Sequence, residues 1–318
     1  MSDQPDTSIS RPPTPGEIFF DRFFRGLTLA FAWFTILIVV LIVWQIGKVA
    51  YPAVSQYGWS FLTSSEWDGK TKFGILPEIL GTLYTAVLGV GLGSLFGVAV
   101  AIFLTQDFLP PKYEQFLKHT VELLAAIPSV VYGLWGIFIV IPAIRPTCNW
   151  LHDHLAWVPI FGSRLSGPGI LPASLVLAIM VLPTVTAISR DALAAVPPKL
   201  REAAFGLGAT RWETILAVIV PTASGGIYGS IILAFGRALG ETMALAMLVG
   251  NSNVISWSVF SPANTLAALI ANKFPEASRV EIGALMYASL VLLAITLVVN
   301  VIGTWILERT TGHLKDTR

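Results

Sequence analysis

The chain has 318 residues, of which 54% are hydrophobic and 12% charged, with a mean hydropathy of +0.73. Soluble domains carry about a quarter charged residues, so the composition argues against a water-soluble enzyme. The net charge of +1 offers no field for a polyanion and the basic residues are scattered, so no nucleic-acid partner is expected.

Residues 1–15 are polar and proline-rich and are predicted to form a disordered tail. From residue 16, Ile18, Phe19, Phe20, Phe23, Phe24 and Leu27 recur at helical spacing between Glu17, Asp21, Arg22 and Arg25. That pattern suits either a helix lying in the membrane interface or the flank of a first span. Charge-free stretches follow at 26–47, 79–104, 123–144, 165–189, 214–236 and 282–307. Each reaches the roughly 20 apolar residues needed to cross hydrocarbon as a helix, and none alternates like a barrel strand. The prediction is an all-α polytopic membrane protein with six transmembrane helices and membrane lipid around it. Its divisions are a tail at 1–15, an interfacial helix, first span and outward loop at 16–78, a transmembrane domain at 79–307 and a tail at 308–318.

In the second span Gly93 and Gly97 make a GxxxG spacing, read as close helix packing. Pro128 is expected to kink the third span, with Glu122 at its cytoplasmic mouth. Lysine and arginine number twelve on the side holding both termini and seven on the other, with Arg237 left inside an apolar stretch. Both termini are therefore placed in the cytoplasm. Trp44, Tyr51, Trp59, Trp150, Trp157 and Trp257 then fall at the outward level and are read as interface anchors.

Few residues offer chemistry. Gly69, Lys70 and Thr71 read G-K-T, but the glycine a phosphate loop needs is replaced by Ser64 and no strand precedes it. The histidines at 119, 152, 154 and 313 have no metal-closing spacing, and His152 and His154 are read as solvated loop residues. Cys148, the single cysteine, can form no intrachain disulfide.

The informative cytoplasmic segment carries Arg190, Asp191, Lys199, Arg201, Glu202, Arg211 and Glu213 between two spans. Pro197 and Pro198 open a short helix that Gly206 and Gly208 weaken or end, and Thr210 with Glu213 has capping-box spacing into the fifth span. Glu202, Ala203, Ala204, Gly208 and then Val218, Ile219, Val220 and Pro221 resemble the EAA motif of ABC importer permeases, departing only by valines at 218 and 220. The resemblance implies a coupling helix at about 198–208 seated on a cytoplasmic ATPase. Glu202 would make a polar contact, Ala203 and Ala204 would allow close approach, and Gly208 would form the turn.

Phe73–Leu83 (FGILPEILGTL), Glu122–Gly133 (ELLAAIPSVVYG), Met180–Thr184 (MVLPT) and Gly236–Gly250 (GRALGETMALAMLVG) resemble the C-subunit family of phosphate-specific transport permeases, over about residues 59–307. This implies a type I ABC importer permease fold in a bacterial inner membrane. It also implies a homologous A-type permease subunit, two ATPase subunits, a periplasmic phosphate-binding protein and inorganic phosphate as cargo. ATP and Mg would sit on the partner ATPase, with no cofactor and no catalysis in this chain. The outward loops at 48–78 and 251–281 are the expected docking surfaces, with mixed charge at Glu66, Asp68, Lys70, Lys72 and Glu78.

Within the membrane, Arg237 and Glu241 interrupt an apolar stretch at 214–250 that is too long for one crossing. At i and i+4 they share a helical face, so an ion pair is within reach. Intramembrane charge marks a functional site by default, the alternative being a lock between helices. Counted from Pro221, Arg237 lies roughly 24 Å along the helix, toward the outer side. Arginine's planar fork suits an oxyanion, and Glu241 would release it when the anion arrives. The rivals are a gradient-driven secondary transporter or anion channel without an ATPase, and an ABC permease for sulfate or phosphonate.

Overall fold

The computed structural model describes residues 14–106 and 108–315. Most of the tail predicted at 1–15, and the last three residues of the one at 308–318, lie outside them. Among the described residues six helices are long and apolar enough to cross a membrane. The first, Pro15–Tyr57, runs unbroken through the amphipathic residues 16–27, so of the two alternatives there the continuous helix is observed. The chain divides into two units between Val49 and Ala50, within this helix. The first unit is helical from Pro15 onward.

In the second unit the spans are Leu76–Thr105, Ser129–Leu155, Ile170–Ala194, Arg211–Leu239 and the helix Arg279–Lys315. The second packs along the fourth because glycine removes the side chains between them. A Cβ on Gly93 would meet Val181 Cγ2 at 2.5 Å and the Ala178 carbonyl at 2.7 Å, and one on Gly97 would meet Val185. Thr186 Oγ1 donates to the Gly97 carbonyl at 3.1 Å in the same seam. The fifth span adds Ala234, Ala238 and Leu239 to the core formed by Ala86, Val90, Leu177, Val181 and Val185. Ser189 and Ser230, both fully buried, share a hydrogen bond of 3.0 Å. We expect Gly93→Leu to overpack this seam at a cost of about 1–3 kcal/mol, read as a lowered unfolding temperature of the detergent-purified protein.

The third span departs from the sequence reading. Residues 111–126, expected mostly as a loop, form a separate helix, Pro111–Ala126, so Ile127 and Pro128 mark a break between two helices rather than a kink. Proline cannot donate to a continuing helix and biases its predecessor to extended backbone, and Ile127 sits at ψ 127°. The helical run from Ser129 then reaches Leu155, taking in residues 145–155 that were assigned to a loop. His152 and His154 are therefore helical. Their Nδ1 atoms lie 2.8 Å from the carbonyls of Phe161 and Trp150.

Single wide π turns at Gly136–Val140 and Ile215–Ile219 precede Pro142 and Pro221 by two residues. They re-route the carbonyls that the prolines leave without a donor, so both helices continue past them.

Between the first and second spans the G-K-T residues form a tight turn, not a phosphate loop. Asp68 Oδ1 accepts the N–H groups of Lys70, Thr71 and Lys72 at 2.8–2.9 Å, and Gly69 takes φ +74°. The Lys72, Lys70 and Thr71 backbone donors hold the Asp68 carboxyl well below the usual carboxylate range.

Candidate functional site

Two groups of residues singled out by the sequence sit in different places in the second unit. The one between the fourth and fifth spans matches its predicted local structure closely. The helix spans Pro198–Gly206, with proline in its first turn where a missing N–H costs nothing. It ends through Gly208 at φ +85°, with the Ala209 N–H closing on the Ala204 carbonyl at 3.1 Å. Thr210 N–H then donates to Glu213 Oε2 at 2.7 Å while Glu213 N–H donates to Thr210 Oγ1, a reciprocal capping box opening the fifth span.

Glu202 and Ala203 are exposed, whereas Ala204 is buried in the chain itself, so the two alanines play different parts. Sequence reasoning passed over Phe205 and Leu207, which are 46% and 90% exposed on the same projection. Apolar side chains left in water beside a polar helix are an unpartnered surface. The following turn is fastened down by Arg211, whose guanidinium donates to the Gln106 carbonyl and stacks 4.6 Å over the Phe108 ring. The start of the fifth span is thereby tied to the end of the second.

Nothing lies within 4 Å of a Cβ on Gly208, so a side chain there meets backbone strain alone. Gly208→Val should cost about 1–2 kcal/mol, measured as a lower unfolding temperature, while Gly206→Ala, with ordinary φ and open space, should not.

The membrane group is arranged differently from expectation. The fifth span ends at Leu239, and Glu241 lies in the break before a short helix, Met243–Leu248. Arg237 and Glu241 therefore do not share a helical face. Among the described residues the ion pairs are Lys72–Glu66, His119–Glu122, Arg164–Asp153 and Arg190–Asp191, and neither residue takes part. Glu241 instead accepts the Ala244 N–H through Oε1 at 3.3 Å, capping the short helix. Gly240 stops the preceding helix, and a carboxylate suits the positive start of the next.

Arg237 lines a cavity of about 500 Å³ with Thr184, Leu233, Gly236, Thr296 and Asn300, contributed by the fourth, fifth and sixth spans. Its side chain is exposed and makes no hydrogen bond or ion pair among the described residues. Thr184 lies just beyond the midpoint of the fourth span, roughly 21 Å from its start at Ile170. The fifth helix starts ten residues before Pro221, at Arg211, so Arg237 is close to the far end of that span, which stops at Leu239.

Gly236 brings Asn300 close, since a Cβ there would lie 3.3 Å from Asn300 Oδ1. The amide and two threonines were not singled out as site residues. An asparagine within the otherwise apolar 282–307 stretch was the available signal.

Glu78 also moved. Expected on a docking loop, it is fully buried in the first turn of the second span. Asn264 Nδ2 donates to its Oε1 at 3.3 Å and its other oxygen has no partner among the described residues.

The profile of the family described as "Binding-protein-dependent transport system inner membrane component" matches residues 89–312. The "Phosphate transport system permease protein PstC" of Mesorhizobium japonicum is 37% identical over 296 residues, 91% of this chain and 90% of the relative. The protein of the same name in Haemophilus influenzae is 38% identical, over 90% of this chain and 92% of the relative. Among solved structures, a chain of a bacterial alginate ABC transporter in complex with an alginate-bound periplasmic protein superposes with TM-score 0.61 at 17% identity, over 92% of this chain and 98% of that one. A chain of the MetNI methionine ABC transporter, in inward-facing form, gives 0.55 at 16%, over 74% and 96%. The fold is that of type I ABC importer permeases.

Proposed function

This chain belongs to the binding-protein-dependent transport system inner membrane component family, and from that membership we propose that it is the C-type permease subunit of an ATP-driven importer of inorganic phosphate. It is a multi-pass inner-membrane protein. The excess of lysine and arginine supports placing both termini in the cytoplasm. The partners are a homologous A-type permease, two ATPases that hold the ATP and Mg, and a periplasmic phosphate-binding protein, with the outward loops as its dock. This chain catalyses no reaction itself. Closure of the ATPases draws the Pro198–Gly206 helices together and opens the path outward to receive phosphate, and hydrolysis resets it.

The observation that carries the reading is Arg237, a guanidinium with no counter-charge among the described residues, in a cavity walled by three spans. Such a charge within a membrane calls for an anion. Membership of a binding-protein-dependent family disfavours a gradient-driven carrier. Proteoliposomes holding the full complex and phosphate-loaded binding protein should take up radiolabelled phosphate only with ATP, with sulfate a poor competitor. Uptake by this chain alone, without ATP, removes the reading.

A further inference from the structure

The cavity beside Arg237 offers more than positive charge. Thr296 Oγ1 engages its one proton with the Leu292 carbonyl at 2.8 Å, so as it stands its oxygen can only accept from a guest in the cavity. The side chains of Thr184 and Asn300 make no hydrogen bond among the described residues and are available as donors or acceptors. No carboxylate lines the cavity. The wall therefore combines one fixed cation, two adaptable neutral groups and one acceptor whose proton is already engaged.

This set distinguishes two kinds of oxyanion. Inorganic phosphate near neutral pH retains at least one O–H and must donate it somewhere. Sulfate carries no proton and can only accept. An acceptor that satisfies the phosphate O–H meets sulfate lone pair to lone pair, so the half-buried Thr296 oxygen gains a hydrogen bond from one anion and none from the other. Arg237 does not discriminate, because its fork fits both anions.

We propose that Thr296 is a specificity-determining residue of the translocation path: its hydroxyl oxygen accepts the O–H of a protonated oxyanion held by Arg237, with Asn300 and Thr184 completing the shell. The path itself, and not only the binding protein, then selects phosphate or arsenate over sulfate. This inference rests on the reading of the chain as a phosphate permease.

The test uses the assembled complex of both permease subunits and the ATPases, without the binding protein, so that only the membrane path selects. Equilibrium dialysis with radiolabelled phosphate, and sulfate as competitor, is compared for wild type, Thr296→Val and Thr296→Ser. Valine keeps the shape and removes the acceptor, whereas serine keeps the acceptor.

The expected result is roughly tenfold weaker phosphate binding in Thr296→Val, stronger competition by sulfate as the lone-pair clash is removed, and recovery of discrimination in Thr296→Ser. Wild-type discrimination in the valine variant overturns the proposal, as does equal loss of both anions, which marks a merely structural role. Failure of an uptake-competent wild-type complex to retain phosphate in dialysis overturns it too. Uptake in proteoliposomes with the binding protein separates the two levels: if wild type takes up no phosphate the permease reading falls, and if it does while discrimination is unchanged in Thr296→Val only this inference falls.

Discussion

Arg237→Ala is expected to abolish phosphate uptake while the complex still assembles. The side chain has no protein partner among the described residues, so its removal strands no carboxylate and leaves the Gly236–Asn300 approach intact. What is lost is the only cation in the cavity. A hydrogen bond to a charged group contributes about 1.5–3 kcal/mol, so uptake at saturating loaded binding protein should fall at least about tenfold. Arg237→Lys should retain part of the rate, as a point charge without the fork. Glu241→Gln should be much milder than either, because Glu241 caps a short helix and a glutamine can still accept the Ala244 N–H. Normal uptake by the alanine variant removes Arg237 from the path.

Glu202→Lys should strip the ATPases from the complex. Glu202 is exposed on a helix anchored through Ala204, so the charge reversal spares this chain's fold and acts on whatever docks there. Like charge across an interface costs several kcal/mol, so ATPase co-purifying with the variant should drop at least about tenfold and uptake with it, while the amount of folded permease is unchanged. A variant that keeps its ATPases yet loses uptake would place the lever elsewhere. One that transports normally without them would restore the gradient-driven alternative.

The two sites were legible in the sequence to different degrees. At 197–214 the expected helix start, glycine stop and capping box are present because each is decided within four or five residues, by proline's missing N–H, glycine's freedom at positive φ and a side chain reaching its own backbone. At 237–241 the same local arithmetic gave an i, i+4 pair that does not exist. Gly240 and the carboxylate of Glu241 end one helix and begin another, and a spacing rule holds only while the helix continues. The break at Ile127 and Pro128 is a further case in which proline with its predecessor outweighed an apolar run.

By itself, then, the sequence determined six crossings, the cytoplasmic helix with its caps and a charge that cannot face lipid, because hydrocarbon thickness and backbone hydrogen bonding act on each segment separately. Only the tertiary structure decided the company of Arg237 with Thr184, Thr296 and Asn300, and the burial of Glu78 against Asn264, 186 residues away. Those depend on which faces of distant helices meet. Close packing at glycines such as Gly93 and Gly236 selects that match, and no local propensity encodes it.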